Sequence, residues 1–206
     1  MKLYFSPGAC SLSPHIALRE AGLPFELVQV DLHKHTLEDG SELAKINPKG
    51  YVPVLQLDDG GVLTEGPAIV QYIADQAPSA SLAPVYGSME RYRMMEWLNY
   101  ITSEVHKQFS PLFNPNANDQ TKGFARSALE QRFNYLSEVL WDQPYLLGED
   151  FSVADCYLFT VLGWTKSIGI DLGQWPVLNA YAKRIAERPA VQAAMRAEGL
   201  LKAQAA

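Results

Sequence analysis

Lys2-Leu3-Tyr4-Phe5-Ser6-Pro7-Gly8-Ala9-Cys10-Ser11-Leu12-Ser13-Pro14-His15 is the stretch from which the fold can be read. Lys2 to Phe5 is short, apolar and aromatic, as a buried strand is. Pro7 and Gly8 break it, and Ser11 to Gly22 has helical spacing. Ser11 or Ser13 is placed to cap that helix, and Pro14 is tolerable only in its first turn, which sets the start to within a residue or two. Cys10 therefore stands at or just before a helix N-terminus. The unpaired amides and the positive end of the dipole there favour an anion, which is how a thiol pKa is lowered and a thiolate nucleophile is made. Position alone leaves two readings open, a reactive cysteine or a small buried residue filling a turn.

Downstream, Phe25 to Val30 alternates apolar and polar residues, so a second strand follows the helix, and the βαβ spacing predicts a parallel pair with a right-handed crossover. His33 to Pro48 is polar, with one short helix expected around Glu42 to Ile46. Val52 to Leu57 and Val62 to Thr64 are strand-like and separated by Asp58-Asp59-Gly60-Gly61, a tight-turn signal for an antiparallel hairpin. Gly66 to Ala77 returns to helical spacing. The order βαβ, connector, ββα is the thioredoxin-like arrangement, with a mixed four-stranded sheet expected in a domain spanning 1–77. Pro78 to Gly87 shifts to prolines and small residues, as a linker does. From 88 to 206 only helices are expected, over Met89–Phe109, Gln120–Trp141, Val153–Ile168, Pro176–Glu187 and Ala190–Glu198, giving an α/β domain followed by an all-α one. Ser152 and Asp155 have the spacing of a capping box, with Phe151 and Cys156 at the positions of a hydrophobic staple, which assigns Cys156 to the core.

The 206 residues are 48% apolar and carry a formal net charge of −6 with no long basic run. That charge argues against nucleic acid or an anionic membrane as the main partner, and no apolar run reaches a membrane-spanning length, so a cytoplasmic protein is expected. Two cysteines, Cys10 and Cys156, are too few for a disulfide scaffold, and neither belongs to a zinc-like cluster, so no metal is expected.

A thioredoxin-like domain, a Pro-rich linker and a helical domain containing Ser152-Val153-Ala154-Asp155 resembles the cytosolic glutathione transferases along the full length. Residues 6–11, Asn47-Pro48-Lys49-Gly50-Tyr51-Val52-Pro53, Thr64-Glu65-Gly66 and Asn99 to Lys107 are together similar to the bacterial beta class, which uses cysteine where other classes use tyrosine or serine. The resemblance implies that Val52-Pro53 is a cis-proline turn whose Val52 backbone pairs with the cysteinyl part of glutathione as an added strand edge. It implies that Glu65 and Gly66, opening a helix, meet the γ-glutamyl ammonium and carboxylate. It assigns Cys10 and His106 to catalysis, with His106 donating to a thiolate, and adds Asn99, Ser103, Glu104 and Val105 as glutathione contacts, some reaching the ligand of the other subunit of a homodimer. Relatives often carry lysine at the position of His35, so His33, Lys34 and His35 all remain candidates for the glycyl carboxylate. The electrophile pocket is expected between the domains, bounded by Phe5, Phe109, Phe113 and Trp164.

Cys10-Ser11-Leu12-Ser13 is the one-cysteine version of a C-x-x-C site, so a mixed disulfide at Cys10 has no neighbour to resolve it and needs a second thiol. The expected activity is conjugation of glutathione, as co-substrate and with no other cofactor, to small hydrophobic electrophiles, with glutathione-dependent thiol–disulfide exchange through Cys10. A glutathione-dependent isomerase and a non-catalytic interaction protein of the same fold are the alternatives.

Overall fold

The computed structural model describes residues 1–201. They form two compact units, one from Met1 to Ala83 joined by the segment from Glu187 onward, the other from Pro84 to Ala186. The boundary at 83/84 lies inside the Pro-rich stretch. The sequence reading gave the segment after Glu187 to the helical domain; in the structure it groups with the first unit, for a reason given below.

In the first unit, β1 (Lys2–Phe5), α1 (Leu12–Glu20), β2 (Glu26–Asp31), β3 (Thr36–Leu37), β4 (Val54–Gln56), β5 (Val62–Thr64) and α2 (Gly66–Gln76) build one sheet with helices on it. The strand order is β3-β2-β1-β4-β5. β1 and β2 run parallel with Leu3 opposite Leu27, while β4 lies antiparallel to β1 and to β5. The sheet has five strands rather than four, because Thr36–Leu37 adds an antiparallel edge on β2. A two-residue strand has no periodicity to read, and the polar connector hid it. Alternation along the strands sorts the core: Tyr4, Val30, Val52 and Val54 pack with Leu43 on one face. Leu3 and Leu55 are fully buried too and, one residue out of phase, belong to the opposite face with the buried α1 and α2 residues Ile16, Ile69 and Ile73.

α8 (Pro189–Ala197) packs on α1. Arg188 donates through Nε and Nη2 to the two carboxylate oxygens of Glu20, at 2.6 and 2.9 Å. Glu198, just past α8, is buried and accepts from the Gly8 amide at 2.9 Å through Oε2, and its Oε1 lies 2.8 Å from His15 Nδ1. Arg19 Nε donates to His15 Nε2 at 2.9 Å. His15 Nε2 is thus an acceptor and Nδ1 carries the proton, so a neutral imidazole links Arg19 to Glu198. These polar contacts tie the segment from Glu187 to the first unit.

The second unit is helical: α3 (Met89–Tyr100), a π-helical segment Ile101–His106, α4 (Lys107–Phe113), α5 (Asp119–Val139), α6 (Val153–Gly163) and α7 (Pro176–Ala186). The single helix expected over Met89–Phe109 is therefore interrupted in its middle. In α6 every residue from Val153 to Leu162 is buried, including Asp155 and Thr160, whose side chains are hydrogen-bonded within the core. The expected capping box is formed, with Ser152 Oγ accepting from the Ala154 amide at 3.2 Å and Asp155 Oδ2 accepting from the Ser152 amide at 2.9 Å. Cys156 is fully buried. Among the described residues no helix is long and apolar enough to cross a membrane, and no group of three metal-ligating side chains comes together.

Candidate active site

Cys10 lies two residues before α1 in a tight turn closed by Ala9 N to Ser6 O and Leu12 N to Ala9 O, both 3.0 Å. Ser11 occupies the N-cap position but does not cap. Its backbone is helical, and its buried hydroxyl donates to Ser6 O at 3.2 Å and accepts from Ser6 N at 3.1 Å, bracing the loop that carries Cys10 instead. Ser13, the other expected cap, lies inside the helix, and its buried hydroxyl has no hydrogen-bond partner among the described residues. The Cys10 thiol is half-buried and donates to the carbonyl of Val52 at 3.3 Å. That bond exists only for S–H, so ionisation of Cys10 requires the sulfur to give it up.

Val52–Pro53 is cis, as the family resemblance implied. β4 begins only at Val54, later than the apolar run suggested, because Pro53 has no N–H for a ladder. Glu65 follows β5 with φ 69 and ψ 113, a backbone region that non-glycine residues rarely occupy. Its carboxylate Oε1 accepts from Lys49 Nζ at 2.6 Å and from Tyr51 Oη at 2.8 Å, and Lys49 also donates to Thr64 Oγ1 at 3.0 Å. Glu65 holds the lysine pKa up through this bond, and the same carboxylate raises the Tyr51 phenol. At the start of α2, Pro67 has no amide and the Ala68 amide turns back to Glu65 O at 3.0 Å, so Gly66 N–H is the donor that the first turn has to offer an anion. A Cβ at Gly66 would stand 3.9 Å from Pro53 Cγ, which sets this helix start beside the cis-proline. His35, in the left-handed region at φ 56, hydrogen-bonds through Nδ1 to Gly50 O at 3.1 Å. His33 and Lys34 are exposed, their amides held by Asp31 Oδ1 at 2.9 and 3.1 Å. Cys10, Val52, Glu65, Gly66 and His35 thus share one unit.

In the second unit, Asn99 and Ser103 are exposed; Asn99 Nδ2 donates to Met95 O at 2.9 Å and Ser103 Oγ to Asn99 O at 3.1 Å. Glu104 pairs with Arg132 Nη2 at 2.7 Å. Val105, expected among the ligand contacts, is fully buried, so its side chain belongs to the core. His106 closes the π-helical segment with Nδ1 2.7 Å from Tyr157 Oη and its ring 4.6 Å from that of Trp164, edge to face. Burial, with a smaller push from Lys107, takes its pKa down to about 4. Phe109, Phe113 and Trp164 form one aromatic cluster, with centroids 5.4 to 6.1 Å apart. Phe5, expected beside them, is buried in the first unit with its ring 6.3 Å from His15. Sequence reasoning missed Tyr157, Lys49, Tyr51 and Glu198. Periodicity marks Tyr157 only as part of a buried helix, and the others meet their partners through chain reversals that no local pattern encodes.

Comparison with known proteins gives the family. Residues 8–76 match the glutathione S-transferase N-terminal domain and residues 100–189 the glutathione S-transferase C-terminal domain. The chain is 49% identical over 200 residues to glutathione S-transferase GstA of Escherichia coli O157:H7, covering 97% of this chain and all of that protein. It superposes with a TM-score of 0.95 on the beta-class glutathione S-transferase of Sphingomonas chungbukensis, at 51% identity over 98% of this chain and 100% of that one. It superposes at 0.94 on a sphingomonad glutathione S-transferase complexed with glutathione, at 50% identity and the same coverage. The chain belongs to the glutathione S-transferase family, in its bacterial beta class.

Proposed function

We propose that Cys10, Val52, Glu65, Gly66 and His35 form the glutathione site and that His106 donates a hydrogen bond to the sulfur of the bound ligand. Enzymes of this family join glutathione to an electrophile. For this chain the electrophile is a small hydrophobic molecule held against Phe109, Phe113 and Trp164; with chlorodinitrobenzene, the glutathione thiolate forms a carbon–sulfur bond and chloride leaves. The observation that carries the glutathione reading is the clustering of a half-buried thiol, a strand-edge carbonyl beside cis-Pro53, and a carboxylate next to a helix-start amide. Those groups complement the thiol, peptide, ammonium and carboxylate of γ-glutamyl-cysteinyl-glycine in order. Ser103 and Glu104, with Asn99, contribute from an exposed polar stripe, reaching the ligand of a second subunit. A homodimer is supported by exposed Val85, Tyr86, Met89 and Tyr92, which leave apolar surface next to that helix. A cytoplasmic location fits two cysteines that form no disulfide with each other and the lack of a membrane-crossing helix among the described residues.

Thiol–disulfide exchange is a second activity of the same site. Cys10 thiolate attacks a glutathione mixed disulfide, forming Cys10–S–SG and releasing the other thiol. A second glutathione thiolate then attacks that bond, giving oxidised glutathione and regenerating Cys10, since Ser13 has no sulfur to do so. Cys10→Ala separates the two chemistries: exchange falls to background, while chlorodinitrobenzene conjugation falls by roughly tenfold or less, because His106 and the Val52 strand edge still hold the ligand. Equal loss of both activities would show that Cys10 itself activates the glutathione sulfur. Failure to bind glutathione in calorimetry would overturn the site.

A further inference from the structure

We propose that Tyr157 is the positioning residue of His106, its phenol donating to Nδ1 so that the imidazole presents Nε2–H as its outward donor. The inference deepens the role given to His106 above and rests on it for its catalytic meaning; the tautomer itself stands on the helical unit alone. Tyr157 is 4% exposed on α6, and its oxygen lies 2.7 Å from His106 Nδ1, at the short end for a neutral hydrogen bond. The rings meet nearly edge to face, at 77°, with centroids 5.9 Å apart.

Two arrangements satisfy that distance. In one, Nδ1–H donates to the phenol oxygen, which is a weak acceptor, and Nε2 is left as a lone pair. In the other, the more acidic phenol O–H donates to Nδ1, the stronger base, and the ring proton is on Nε2. The second matches donor to acceptor on both sides of the ring and is the one that can bond a thiolate; the first would aim a lone pair at an anion. Trp164, 4.6 Å away, and Tyr157 flank the imidazole, and burial, rather than the nearby Lys107, is the main reason it stays neutral down to about pH 4. A neutral ring has one N–H only. What selects the nitrogen that carries it is therefore the partner at the other nitrogen, and here that partner is a buried tyrosine on a different helix, 51 residues along the chain.

Nitrogen-15 spectra of histidine-labelled protein read the tautomer directly, with His106 assigned by the signal lost in His106→Gln. The wild type is expected to show an unprotonated Nδ1 and a protonated Nε2, and Tyr157→Phe to move both toward the averaged positions of exchanging tautomers. The same variant should lower kcat for conjugation about three- to tenfold, the worth of one hydrogen bond, while changing KM for glutathione less than twofold. It should also move the acid limb of the pH–rate profile to higher pH, a shift that loss of packing alone does not give. A wild-type ring protonated on Nδ1, or a Tyr157→Phe spectrum identical to wild type, overturns the proposal. His106→Ala tests the donor reading separately: an unchanged pH–rate profile there removes the role of His106 at sulfur, whereas the spectra judge Tyr157 on the ring itself.

Discussion

At the scale of single residues, side-chain chemistry in this protein depends on which atom of a group is already engaged. His35 shows it most simply. Its Nδ1 faces the Gly50 carbonyl, which can only accept, so Nδ1 carries a proton and a neutral ring offers a lone pair at Nε2. A carboxylate can be held at Nε2 only by the protonated ring. His35 is tested as the partner of the glycyl carboxylate by replacement: His35→Ala is expected to weaken glutathione binding about two- to fivefold, and His35→Lys to retain it. Calorimetric titration of both variants with glutathione checks this, and an unchanged affinity in His35→Ala would pass the contact to another group. Sequence reading named His35 and its neighbours without ranking them; the structure adds that a carbonyl fifteen residues away engages one nitrogen of His35.

At the scale of elements, the start of α6 and the π-helical segment make opposite points. The capping box was legible because Ser152 and Asp155 are three residues apart on a helix whose geometry is local. The structure adds to it: Asp155 Oδ1 also accepts from the Leu146 amide at 3.0 Å and Tyr181 Oη at 2.9 Å. Burial raises the Asp155 pKa, and those donors pull against it; burial first, and Asp155 second, raise the Tyr181 phenol. Asp155→Ala strands several buried donors at once, and a loss of about 3 kcal/mol or more in urea unfolding is expected. The π-helical segment was not legible. Asn99, Ser103 and His106 were placed on one stripe by α-helical spacing, but each residue in Ile101–His106 turns less than in an α-helix. The apolar residues Leu98, Ile101 and Val105 stay buried, while the polar face is re-aimed and His106 arrives beside Tyr157. A hydrophobic pattern cannot register this, since both windings bury the same apolar set.

At the scale of the whole molecule, the segment after Glu187 returns to the first unit and braces the helix that follows Cys10. Glu198 holds the Gly8 amide and, through His15, the Arg19 guanidinium, whose own pKa is lowered chiefly by burial. Glu198→Ala removes the carboxylate that the part-buried Gly8 amide and the buried His15 imidazole N–H donate to. It is expected to cost about 3 kcal/mol of stability and to speed hydrogen exchange at Gly8 to Ser11 more than elsewhere. Uniformly faster exchange would mean that the contact serves global stability only. Nothing in the sequence near Glu198 distinguishes it from an ordinary helix-end glutamate.

The sequence by itself determined the order of strands and helices, the place of Cys10 at a helix start, the hairpin and the box at α6, because each depends on neighbours within a few residues: apolar period, proline, glycine and capping groups act locally. Only the tertiary structure decided which partners the ring nitrogens of His15, His35 and His106 meet, that Ser11 braces a loop instead of capping, that Val105 is core, and that Glu198 belongs with the loop before Cys10. Those outcomes rest on hydrogen-bond partners brought together from distant parts of the chain, and a donor or acceptor is defined only when its partner is in place.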